Sequence, residues 1–377
     1  MKNKFIKNIL NKYDLPIASS LILLPIISII GLPLYIYQYG VVWQEPIMLI
    51  VGWFIAGMGI TIGYHRLFSH KAFKAKPYFE WILMISGSMA LQNTIMKWCS
   101  DHRRHHSKLD TNEDPYSITE GFFHAHIGWI LKRDDNYRVE NVSDLEKKSA
   151  INFQNKYYWS MALSLSFILP MLIGLLYDRP FGGLLWGGIL RVTLVHHFTF
   201  FINSLCHYFG KRNYDINTSA KDSWFMALFT FGEGYHNYHH KFQWDYRNGI
   251  KWYNFDPSKW IIKSLSFFKI TYSLKEAPRY SILKAKINTI NEKIGIISNQ
   301  LRNKSMYHNK IKSITNSAMK NLDLLKKVEL KYRLLDKNSI SKKQKKIYKQ
   351  KIKLYTIEIQ KSVSALMIIS MNIKNVM

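Results

Sequence analysis

The sequence predicts an all-α integral membrane protein in which four transmembrane helices carry a polar, helical cytoplasmic part. Three observations predict it. Of 377 residues, 47% are hydrophobic and 15% aromatic, yet the mean hydropathy is only −0.14, because the apolar residues are gathered in long blocks while the last third is polar. Four of those blocks form two pairs, each pair joined by a short turn, as in helical hairpins. The formal charge of +28 is unevenly placed: the N-terminus, the middle and the tail are rich in Lys, whereas the two connecting turns carry one Arg between them. The positive-inside rule therefore puts both chain ends on the cytoplasmic side.

The first block, PIASSLILLPIISIIGLPLYIY (16 to 37), is uncharged over roughly the 20 residues that cross a bilayer. It follows Lys2, Lys4, Lys7 and Lys12, so residues 1–15 read as a basic cytoplasmic N-terminus. A secretory signal has an apolar core of only about 7 to 15 residues, and this block is taken as an uncleaved span. The second, 45–65, ends on His65. The third and fourth, 157–177 and 183–206, flank the turn DRPFG. A fifth stretch, FEWILMISGSMALQNTIM (79 to 96), is expected to lie at the interface or re-enter. If it crossed, the histidines before and after it would sit on opposite sides of the membrane.

Hydropathy falls after residue 207, so 16–275 reads as one membrane-anchored domain with a cytoplasmic portion. Residues 276–377 read as a Lys-rich helical extension, an amphipathic hairpin or partly disordered tail. Residues 280–377 hold 22 Lys and Arg against 5 Asp and Glu. With spans present, membrane lipid rather than nucleic acid is the partner for that excess. Cys99 and Cys206, the only cysteines, are too few for a disulfide framework and read as reduced and structural.

Fourteen histidines occur, and eight fall in three clusters: His65 and His70 in HRLFSH, His102, His105 and His106 in HRRHH, and His236, His239 and His240 in HNYHH. The i, i+3, i+4 spacing puts three imidazoles on one helical face, where they can converge on metal. The i, i+5 pair is different: in a regular helix its rings point about 140 degrees apart, so the helix is expected to end inside that box. Imidazole suits iron, copper, zinc or nickel. Eight or nine ligands imply two metals with four or five each, and no nucleophile motif of the G-x-S-x-G kind accompanies them.

These residues resemble the membrane-bound fatty acyl desaturases of the stearoyl-CoA (delta-9) type. GYHRLFSH, DHRRHH, GFFHAHIGW, NSLCH and GEGYHNYHH match that family's motifs in order, over about residues 17–270. The resemblance implies a mushroom-like protein, four transmembrane helices under a cytoplasmic helical cap that holds a histidine-rich di-iron centre. It implies iron ligation by His65, His70, His102, His105, His106, His207, His236, His239 and His240, with Asn203 holding one metal through a water. His207 comes from the resemblance alone. It further implies that Gln92, Trp98 and Thr199 line a kinked acyl tunnel, and that Asp101 meets the thioester head group. His124, His126, His196 and His197 have no counterpart as ligands and are expected to be structural.

The implied reaction is insertion of a cis double bond into a saturated acyl chain, using O2 and two electrons at two irons. No H-P-G-G signature of cytochrome b5 occurs in the chain, so the electrons are expected from a separate protein of cytochrome b5, ferredoxin or rubredoxin type, docking on the basic cytoplasmic face. Ser100 stands where animal enzymes have an Arg near CoA, Phe200 replaces a tunnel Trp, and NKYDLP replaces a Trp-Arg-Asn segment. Acyl-lipid and acyl-carrier-protein substrates therefore stand beside acyl-CoA. The same scaffold could hydroxylate instead, which product identity separates; a zinc or copper storage or transport protein is separated by metal analysis. The Lys, Asn and Ile bias and the lack of a retention signal favour a bacterial inner membrane over the endoplasmic reticulum.

Overall fold

The computed structural model describes residues 13–132, 138–298, 305–335 and 341–375, so the basic N-terminal stretch lies, up to residue 12, outside the described residues. The chain divides into two compact units, one of residues 1–210 and 219–275, the other of 211–218 and 276–377.

In the first unit the main helices through the membrane part are α1 (Leu15–Tyr39), α2 (Gln44–Ser69), α3 (Pro77–Ser88), α4 (Ile95–Lys108), α5 (Ser149–Leu175) and α6 (Pro180–Tyr208). Of these, α1, α2, α5 and α6 are long and apolar enough to cross a membrane, so the four expected blocks are the four transmembrane helices. α1 opens with Asp14, whose carboxylate accepts from Ile17 N at 3.3 Å, and with Pro16 in its first turn, two devices that satisfy and shape a helix start. Its side chains Ile29 and Leu34 are exposed, as lipid-facing residues must be in a helix that spans hydrocarbon. α5 begins eight residues before the expected 157, and the non-helical Tyr157 (φ −112°, ψ 19°) kinks it at that point.

The fifth apolar stretch is not one helix over 79–96. α3 stops at Ser88 and α4 starts at Ile95. Leu91 and Asn93 take positive φ of 54° and 77°, which no helix tolerates. Thr94 caps α4 by accepting from Lys97 N. The amides freed by this break are met by α5: Tyr158 accepts from Asn93 N at 2.6 Å, and Gln154 Oε1 from Ile95 N at 2.8 Å. Arg191 of α6, wholly buried, gives its guanidinium to the carbonyls of Gly187, Ser166 and Met89. A charge in a span is tolerated only when so satisfied. At 12 residues, α3 is also shorter than the roughly 20 needed to cross. It packs on α2 where two glycines meet: a Cβ on Gly59 would lie 2.1 Å from Gly87 N.

α2 ends at Ser69, inside HRLFSH, with His70 as its cap, but it stays wound through His65 rather than stopping there. Residues Gly59–Ser69 wind as a π-helix, and His70 N donates to His65 O at 3.0 Å. In that wider turn residue i+5 sits over residue i, so the two rings expected to diverge lie 4.7 Å apart between centroids.

The cap adds α7 (Trp224–Phe229), α8 (His236–Lys241) and α9 (Pro257–Phe267). The only strands among the described residues are Lys74–Ala75 and Thr271–Tyr272, paired antiparallel. The core of this unit runs from Ile62, Tyr64 and Phe68 of α2 to Met84 of α3, Ile95 and Cys99 of α4 and Ile151 of α5.

Among the described residues the second unit contains three helices where a hairpin or partly disordered tail is expected: α10 (Arg279–Ser298), α11 (Ser305–Leu334) and α12 (Lys342–Asn375). It has its own core. Leu283, Ile287 and Ile294 of α10 pack with Ala318, Leu322 and Leu325 of α11 and with Ile359, Leu366 and Ile373 of α12, each set recurring at helical spacing.

Candidate metal centre

Nine imidazoles converge in two groups: His65, His70, His102, His106 and His239; and His105, His207, His236 and His240. Within each group the ligand-capable nitrogens all lie within 4.8 Å of one another. The Nε2 atoms of His65 and His239 are 3.0 Å apart, those of His70 and His102 2.9 Å, those of His207 and His236 3.0 Å. Such separations are the edge of a coordination polyhedron with metal to nitrogen bonds of about 2.1 Å. The residues fit a pair of metal ions.

The grouping differs from one expectation. Each triplet does not converge on one metal: His102 and His106, one turn apart, join the first group, while His105 between them turns to the second. Likewise His236 and His240 go together and His239 crosses over. α4 and α8 therefore lie between the two groups and serve both.

What aims the rings is on their outer side. His65 Nδ1 lies 2.9 Å from Glu233 Oε2, His105 Nδ1 donates to Asp114 at 2.8 Å, His102 Nδ1 to the Tyr116 hydroxyl at 3.1 Å, and His207 Nδ1 to Ser219 Oγ at 2.6 Å. Ser219 Oγ in turn donates to Asp110. A hydrogen-bonded Nδ1 fixes the tautomer that presents Nε2 as a lone pair. Glu233 is itself held by Arg66 at 2.9 Å and Asn248 at 2.6 Å, and Arg66 reaches Asp256 at 3.0 Å. Burial acts to raise the Glu233 carboxyl, but His65 and Arg66 outweigh it and bring it to about 2.

Burial, then the neighbouring imidazoles, hold His70, His102, His106, His239 and His240 well below the ordinary imidazole range, and His236 at about 3. The rings are neutral, the form that binds metal. A depressed folded-state value costs stability under acid. Unfolded histidines take up protons from about pH 6.5 downward, while the folded rings resist until near pH 3 in the case of His236. The metal-free protein in micelles should therefore unfold at progressively lower temperature as pH falls from about 6.5 toward 5, with little change between 7 and 8. A flat profile over pH 5 to 7 would contradict the neutral cluster.

The side chains expected to meet the substrate lie around one cavity of about 1710 Å³, lined by Gln92, Trp98, Asp101, Thr199 and Asn203 together with His65, His102 and His236. Gln92 Nε2 donates to Thr199 Oγ1 at 2.9 Å. Trp98 stacks on His102 with ring centroids 4.8 Å apart. Asp101 pairs with Lys97 at 3.4 Å. Asn203 precedes His207 by one turn of α6, beside the group that has four imidazoles rather than five. The histidines expected to be structural stay outside both groups. His196 Nε2 donates to Ala90 O at 2.9 Å, and His126 bridges His197 and Ser204 at 3.1 Å each.

Sequence reasoning missed the outer partners Asp110, Asp114, Tyr116, Ser219, Arg66 and Glu233. A signal existed for some: Asp110, Asp114 and Tyr116 follow HRRHH within ten residues, and a ligating histidine calls for such a neighbour.

Residues 41–270 match the model of the fatty acid desaturase family. The chain is 40% identical over 264 residues to a probable acyl-CoA desaturase of Schizosaccharomyces pombe, covering 69% of this chain and 54% of that protein. It is 36% identical over 280 residues to acyl-CoA desaturase 1 of Saccharomyces cerevisiae, covering 72% and 55%. To an sn-1 stearoyl-lipid 9-desaturase of Anabaena variabilis it is 31% identical over 235 residues, covering 62% and 84%. The match thus spans about half the length of the two yeast relatives. With the matched residues containing all nine converging histidines and three of the four spanning helices, α2, α5 and α6, the chain belongs to the fatty acid desaturase family.

Proposed function

We propose that the chain is a delta-9 acyl desaturase that inserts a cis double bond into a saturated fatty acyl chain carried as acyl-CoA. The observation that carries this reading is the meeting of metal-binding groups and apolar cavity: His65, His102 and His236 line the same space as Leu24, Ile27, Trp53, Leu163 and Phe198. The nine histidines, with Asn203 through a water, would hold two irons, which when bound would supply the oxidising power for the reaction: O2, two electrons from a separate donor of cytochrome b5, ferredoxin or rubredoxin type, two protons and one hydrogen from each of two neighbouring methylenes balance to a double bond and two waters.

The chain's own residues do the rest. The apolar walls exclude water and hold the alkyl chain in the bent course of the tunnel, so that position along the cavity decides which carbon is reached. The Gln92 to Thr199 hydrogen bond fixes the wall beside Trp98, and Trp98 stacked on His102 keeps that ring from turning. Asp101, beside Lys97, is placed for the thioester end. The acyl-CoA substrate is supported by the names of the yeast relatives, and the acyl-lipid alternative by that of the cyanobacterial one.

By the positive-inside reading the metal centre faces the cytoplasm, and the Lys, Asn and Ile bias favours a bacterial inner membrane over the endoplasmic reticulum. We read residues 16–275 as the desaturase domain and 276–377 as an extension to it.

Expression in cells with a competent donor should yield a new monoene whose double bond, located by mass spectrometry, is at carbon 9. His106→Ala should abolish it and lower iron content from about two per chain. Hydroxylated chains, or a monoene that persists without His106, would overturn the proposal.

A further inference from the structure

α12 has two apolar faces. One, with Ile359, Val363, Leu366 and Ile373, belongs to the core of the second unit. On the opposite face Leu354, Ile357, Ile368 and Met371 are 55%, 38%, 53% and 56% exposed, and Lys343, Lys346, Lys353 and Lys361 are interleaved with them. The helix carries nine Lys and one Glu. An outward apolar row flanked by lysines is the pattern of a helix lying in a headgroup region, its apolar side chains at the acyl boundary and its ammonium groups among anionic headgroups.

We propose that this outer face of α12 docks on the anionic surface of the bilayer that the chain spans. Charge decides among the occupants. A second copy would bring nine lysines against nine, and nucleic acid offers little to cover Leu354 and Ile368. Anionic lipid complements both the charge and the apolar row. The four membrane-spanning helices of the same chain hold a bilayer within reach, so docking pays no cost of bringing two molecules together. The reading is independent of the reaction at the metal centre.

The test uses the full chain in nanodiscs holding one copy each, made of phosphatidylcholine alone or with about a third phosphatidylglycerol. Cys99 and Cys206 are buried, so Ile368→Cys is selectively labelled with an environment-sensitive dye, the unsubstituted chain serving as control. We expect blue-shifted emission and several-fold stronger quenching by spin-labelled lipid in the anionic discs, reversed by high salt and by Lys346→Glu, Lys353→Glu and Lys361→Glu together. The salt series needs no altered lysine, so it stands even if the triple variant misfolds. Equal quenching in neutral and anionic discs, or none in either, would overturn the proposal. So would emission that shifts only when detergent-solubilised chains are concentrated, which assigns the face to a second copy.

Discussion

Replacing Glu233 by alanine should be the most damaging single change at the metal centre that leaves every histidine in place. The carboxylate is buried and holds His65, Arg66 and Asn248 at once. Removing one partner of a buried ion pair costs about 3–5 kcal/mol, because the other charge is left without compensation. Arg66 keeps Asp256, which places the expectation at the lower end of that range. Glu233→Gln separates folding from ligation. Arg66 has only donors, so the amide nitrogen is expected to turn from it toward His65 and Asn248, where His65 can meet it by accepting at Nδ1 in the tautomer with hydrogen on Nε2. The glutamine variant should remain folded and lose roughly 10 to 100-fold in metal affinity at the first group. Metal content after dialysis against graded chelator, beside thermal unfolding in detergent, checks both. Wild-type metal retention in the glutamine variant would refute the orienting role.

The second large effect belongs to packing. Gly59→Ala places a methyl 2.1 Å from the backbone nitrogen of Gly87, and backbone has no rotamer with which to yield. Overpacking of this kind typically costs about 1–3 kcal/mol. Here the displaced helix also carries His65 and His70 six and eleven residues further on. The variant should therefore lose metal as well as thermal stability. Gly40→Ala, where no atom lies within 4 Å but φ is 68°, provides the contrast: a strained turn far from the cap, with metal content unchanged. If Gly59→Ala matched wild type in both measurements, the close crossing of α2 and α3 would be wrong.

The long apolar runs made the four spans readable, since about 20 uncharged residues have few other uses. The histidine triplets were readable because their spacing is local. Their sharing between two groups was not, because which neighbour lies across from His105 or His239 depends on elements more than a hundred residues away. HRLFSH misled for a specific reason: regular helix geometry separates i and i+5, and nothing in the composition announces the wider π winding. The break at 89–94 was hidden inside an apolar stretch because its cause, positive φ at Leu91 and Asn93, is sustained by Tyr158 and Gln154 from a distant helix. His207 stands alone in its segment, and only the family's pattern pointed to it.

The position of α4 and α8 astride both groups ties the two halves of the centre thermodynamically. An ion that orders His102 and His106 also fixes the helix on which His105 stands, and one held by His239 sets His236 and His240. The first ion to arrive thereby prepays the ordering cost of the second. Half-loaded chains should be scarce at equilibrium, and a chelator should withdraw both ions in one steep step rather than two.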